Sequence, residues 1–84
     1  MDLGLKGKRA LVMGGSKGLG RSIADAIAAE GAIVTVSGRE QASLDKVAAE
    51  LKALGAQAAY GIQADVSSGA EMDKLADAAV AAMG

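Results

Sequence analysis

Hydrophobic positions in this chain follow two alternating rhythms: short unbroken runs, and stretches that repeat every three or four residues. The first run, Arg9–Met13, sets Ala10, Leu11, Val12 and Met13 on successive positions, the pattern of a parallel strand covered on both faces. Residues 18–30 then place Leu19, Ile23 and Ile27 four apart. That spacing predicts a helix burying this stripe, with Arg21 and Asp25 pairing one turn apart on its outer side. Gly31 supplies a left-handed stop. Ile33, Val34, Thr35 and Val36 are β-branched and predict a second strand over 33–37. From Gln41 onward, Leu44, Val47, Leu51 and Leu54 recur at helical spacing, and Gly55 closes the period. A third strand is expected over Ala58–Gln63, although Gly61 interrupts it. Ser68 and Glu71 stand in capping-box spacing and open a third helix that carries Met72, Leu75, Ala79, Val80 and Met83 along one side.

Strands alternating with helices of this length predict an α/β fold with a parallel sheet in the order 3-2-1, joined by right-handed crossovers. That handedness puts the first two helices on one face of the sheet and leaves only the third helix for the other. Part of one face and both edges are then uncovered, an arrangement uncommon in a monomer. The expectation is a single half-domain over residues 1–84, completed by the remainder of a longer chain or by self-association.

Composition narrows the chemistry. The 84 residues contain no Cys, His, Trp or Phe. Disulfides, Cys/His metal sites, the thiol nucleophile and the commonest general base are therefore excluded from this stretch. A formal net charge of −1, with Lys and Arg scattered, leaves no electrostatic footprint for nucleic acid or an anionic membrane. The amino end has no secretory apolar core, and no run approaches membrane-spanning length, so the expected location is cytoplasmic.

The informative motif is the junction of the first strand and helix. In MGGSKGLG, glycines at Gly14, Gly18 and Gly20 let the backbone approach an anion closely just where a helix offers unpaired N–H groups and its positive dipole end. Glycines also serve ordinary strand-to-helix turns, but here the second strand ends in Ser37-Gly38-Arg39, 19 positions beyond Gly20. That is about where a ribose-reading group is expected in a dinucleotide site. An acidic side chain there would read a ribose 2′-OH, whereas Arg39, with Lys17 in the glycine turn, suits a 2′-phosphate and thus NADP. Glu40 keeps the NAD alternative open, since a small loop shift would bring it to a 2′-OH.

The run MGGSKGLG, with its G-x-x-x-G-x-G spacing, resembles the cofactor signature of the short-chain dehydrogenase/reductases, and Ala64-Asp65-Val66 resembles that family's turn after the third strand. The resemblance spans the whole chain and implies an incomplete, doubly wound Rossmann-type fold. By resemblance, Ser16 and Lys17 reach the adenosine phosphate, Leu19 backs the pyrophosphate, Arg39 selects NADP, Asp65 bonds the adenine amino group and the Val66 backbone contacts the ring. Met13 stands where the family usually has Thr.

The family's Y-x-x-x-K motif has no counterpart here: Tyr60 is followed four residues later by Ala64. None of the serines has a histidine to activate it, so no catalytic residue is assigned. The implied function is NADP(H) binding by the amino-terminal segment of an oxidoreductase that acts on a carbonyl/alcohol pair. Two alternatives stand beside it. One is a non-catalytic dinucleotide-binding or assembly module. The other is a P-loop-like mononucleotide site over residues 15–22, in which Arg21 occupies the lysine position.

Overall fold

The computed structural model describes residues 4, 6–14, 18–64 and 69–84, and the side chains of all of these except 69–71. The elements run β1 (Arg9–Met13), α1 (Gly18–Ala29), β2 (Ile33–Gly38), α2 (Gln41–Leu54), β3 (Ala58–Gln63) and α3 (Gly69–Met83). The three strands form one parallel sheet in the order β1-β2-β3, with Arg9 opposite Ile33 and Ile33 opposite Ala58. Gly31 and Gly55, both at positive φ, end α1 and α2. No helix among the described residues is long and apolar enough to cross a membrane.

The two-residue side-chain period of a strand divides the sheet into unlike faces. Val12, Val34 and Val36 lie on one face and form a single core with Ala24 and Ala28 of α1 and with Leu44, Val47 and Leu51 of α2. α1 and α2 also pack against each other. On the other face, Thr35 and Ser37 are buried and α3 lies over β2 and β3, burying Leu75 and Ala79. The division of helices expected from crossover handedness is therefore observed.

Several expected core positions are not buried. β1 lies beyond the cover of α3, so Leu11 and Met13 are exposed and Val12 alone is buried in that strand. In α1 the buried side chains are Ala24 and Ala28, while Leu19 is 78% exposed and Ile23 is also exposed. Small residues let the helix sit close to both the sheet and α2, and the larger ones are displaced outward. Leu54, Met72 and Val80 are likewise exposed. Ser68, half of the expected capping box, lies outside the described residues.

Gly61 does not interrupt β3. A Cβ at this position would lie 2.8 Å from Leu44 Cβ and 2.9 Å from the Leu44 carbonyl carbon and oxygen. The missing side chain is what lets α2 press against the strand.

Candidate functional site

The carboxyl ends of the three strands are stitched together beyond the regular ladder. The Gly14 N–H donates to the Ser37 carbonyl (2.9 Å), and the Ala64 N–H donates to the Gly38 carbonyl (2.9 Å). One rim thus carries the glycine turn after β1, the Gly38-Arg39 corner after β2, and the start of the segment after β3. In open parallel sheets this end of the strands is where ligands bind.

Gly14 has φ +72° and Gly18 has φ +58°, and a Cβ on either would meet no atom of the described residues within 4 Å. Their positive φ makes these glycines a matter of conformation, and no described residue packs against them. α1 begins at Gly18, and its first turn, which includes Leu19 and Gly20, contains no acidic residue to compete for its unpaired N–H groups. Backbone amides and dipole at this helix start fit an anion such as a pyrophosphate.

Arg39 is exposed, and its guanidinium has no hydrogen-bond or ion-pair partner among the described residues. Its main-chain carbonyl is anchored, accepting from Gln63 Nε2 at 3.1 Å. Glu40 precedes the first turn of α2, with its carbonyl accepting from the Leu44 N–H and its carboxylate accepting from the Ser43 hydroxyl at 3.3 Å. The carboxylate that could read a 2′-OH is thus engaged at the start of the helix. Gly14, Gly18, Leu19, Gly20 and Arg39 fall on this rim and at the adjoining helix start. Ser16, Lys17, Asp65 and Val66 lie outside the described residues.

Arg21 is committed elsewhere. Its Nε donates to Asp25 Oδ1 (2.7 Å) and its Nη1 to Glu50 Oε1 (2.8 Å), joining α1 to α2. The hydrogen bond to Asp25 does most to raise the guanidinium's pKa; desolvation opposes it, and the hydrogen bond to Glu50 with the charges of both carboxylates keeps the net shift upward. This engagement leaves the P-loop-like alternative without its phosphate-reaching cation. Tyr60 is a half-buried strand residue opposite Thr35.

Gln41 and Gln63, which belong to no motif, also contribute to the corner. Gln41 Nε2 donates to the Gly61 carbonyl (2.8 Å) and to Asp45 Oδ1 (2.7 Å), and its Oε1 accepts from the Gln63 N–H (3.0 Å). Only their position after β2 and at the end of β3 could have marked them in the sequence.

Known proteins share this architecture. The hydroxysteroid dehydrogenase of Escherichia coli superimposes with a TM-score of 0.87 at 35% identity, over 95% of this chain and 32% of that one. The NADH-dependent reductase A1-R′, solved as a complex with NAD, gives 0.83 at 32% identity over 92% of this chain and 32% of its own. A blue fluorescent protein from a metagenomic library, solved in complex with NADPH, gives 0.84 at 34% identity over 95% and 33%. The chain spans about a fifth to a third of the length of the curated relatives it matches. The sequence profile described as short chain dehydrogenase matches residues 8–84, which include every element from β1 through α3. The glycine turn, the parallel β-α-β-α-β-α order and this match agree: the chain belongs to the short-chain dehydrogenase family of oxidoreductases.

Proposed function

We propose that residues 1–84 form a single dinucleotide-binding half-domain, the NADP(H)-binding amino-terminal segment of a cytoplasmic oxidoreductase acting on a carbonyl/alcohol pair. The observation that carries this reading is the hydrogen-bonded rim, where Gly14 at the end of β1 and an exposed Arg39, without a side-chain partner among the described residues, lie on adjacent strand ends. Neighbours of this fold solved with NAD and with NADPH support a nicotinamide dinucleotide as the ligand.

Within this reading, the amides around Gly14, Gly18, Leu19 and Gly20 hold the pyrophosphate against the start of α1. Ser16 and Lys17 reach the adenosine phosphate, and Asp65 with the Val66 backbone holds the adenine. Arg39 grips the 2′-phosphate as a charge-assisted, forked donor. The nicotinamide, once bound, supplies hydride transfer. The residues named here bind and orient and move no proton. Exposed Leu11 and Met13 support a further element over β1, contributed by additional chain or by a second copy.

The test is equilibrium titration of NADPH and NADH into the complete protein and its Arg39→Ala variant. A charge-assisted contact is worth about 1.5–3 kcal/mol, so NADPH affinity should fall roughly ten- to hundredfold while NADH affinity changes little. Equal loss for both cofactors would overturn the selector assignment.

A further inference from the structure

We propose that Gln63 and Gln41 are positioning residues for cofactor discrimination, acting by fixing the main chain on both sides of Arg39; the proposal rests on the assignment of Arg39 as the 2′-phosphate reader. A peptide group is planar, so pinning a carbonyl pins the whole unit. The peptide before Arg39 is held through the Gly38 carbonyl, which accepts from the Ala64 N–H at 2.9 Å. The peptide after it is held through the Arg39 carbonyl, which accepts from Gln63 Nε2 at 3.1 Å. With both planes fixed, the Cα–Cβ direction of Arg39 is fixed, although its side chain is exposed and has no partner of its own among the described residues.

Gln63 is itself held in an uncommon way. In a parallel ladder, one residue of a strand exchanges hydrogen bonds with the carbonyl of residue j−1 and the N–H of residue j+1 on its neighbour. Gln41 makes this pattern with its side-chain amide: Nε2 donates to the Gly61 carbonyl at 2.8 Å, and Oε1 accepts from the Gln63 N–H at 3.0 Å. The amide thus takes the place of a fourth-strand residue on the outer edge of β3. Asp45, one helical turn on, accepts a second hydrogen bond from Nε2 at 2.7 Å and fixes the amide's orientation. Three hydrogen bonds of 2.7–3.1 Å link Asp45 through Gln41 and Gln63 to the Arg39 main chain. It ties α2 and β3 to the corner that distinguishes the two cofactors.

The experiment measures NADPH and NADH dissociation constants for the complete protein, Gln63→Ala, Gln63→Glu, Arg39→Ala and the Gln63→Ala/Arg39→Ala double variant, with melting temperatures for each. Gln63→Glu keeps the side chain's size but replaces the donor with an acceptor facing the Arg39 carbonyl. Both Gln63 variants should lower the NADPH-to-NADH affinity ratio by about 2- to 10-fold, the range of one lost hydrogen bond. In the Arg39→Ala background, Gln63→Ala should leave that ratio unchanged. If Arg39→Ala is selective for NADPH but the Gln63 variants leave the ratio unaltered, or weaken both cofactors equally, the positioning role is overturned and the Arg39 reading survives. If Arg39→Ala itself weakens both cofactors equally, the Arg39 reading fails and the positioning role fails with it.

Discussion

Gly61→Ala tests how closely α2 is seated on the sheet. The added methyl would lie 2.8 Å from Leu44 Cβ and 2.9 Å from the Leu44 carbonyl carbon and oxygen. Ordinary contact begins near 3.4 Å, so helix and strand must separate by about half an ångström against a core packed at crystal-like density. The obstructing atoms belong to the backbone and Cβ of a fully buried residue, so no rotamer change relieves them. Overpacking of this kind costs about 1–3 kcal/mol, offset by about 0.4–1 kcal/mol from the reduced entropy of the unfolded chain. A net loss of roughly 1–2 kcal/mol corresponds to a fall in Tm on the order of 5–15 °C for a domain of this size. Urea unfolding of the two proteins, with unchanged slope, measures it directly. Leu44→Ala should not rescue the variant, because alanine retains every atom in the clash. An unchanged or raised midpoint for Gly61→Ala would refute the close seating of α2 and the explanation given for this glycine.

Two further substitutions separate conformation from binding and from burial. Gly14→Ala forces a side chain into φ +72°, with no atom of the described residues within 4 Å, so it should cost about 1–2 kcal/mol of stability. It should also weaken NADPH and NADH together, because the pyrophosphate is common to both; unchanged affinities would remove this turn from the site. Thr35 Oγ1 is buried without a hydrogen-bond partner among the described residues. Thr35→Val, nearly isosteric, should therefore stabilise the fold by about 1 kcal/mol or more in a denaturation experiment. A loss of stability would mean that the hydroxyl is satisfied in solution.

The fold was largely legible because its local signals agree with one another. Arg9–Met13 and Ala58–Gln63 are strands with the expected bounds, and β2 runs one residue further, to Gly38. α2 begins at Gln41, as its period predicts. The error at Leu19 and Ile23 has a physical origin: ranking positions by hydrophobicity favours large side chains, whereas close approach of α1 to the sheet and α2 selects Ala24 and Ala28. Gly61 misled in the same way, since its value lies in a contact with residue 44 that no local pattern encodes. At the proposed site, the glycine turn and Arg39 stand out in the sequence because recognition of a phosphate there would call for glycine at one strand end and a cation at the next. Gln41 and Gln63 are invisible because a polar side chain on a strand edge acquires meaning only after that edge is built. Arg21 was paired correctly with Asp25, but its bond to Glu50 depends on the packing of α1 against α2.

The most direct test of the central claim is amide chemical-shift mapping of the isotopically labelled protein during titration with NADPH. The account predicts saturable shifts concentrated at Gly14, Gly18, Leu19, Gly20, Arg39 and Ala64, the residues that the hydrogen-bonded rim and the start of α1 bring together. Shifts confined to the outer surface of α2 or α3, or none at saturating NADPH, would contradict it.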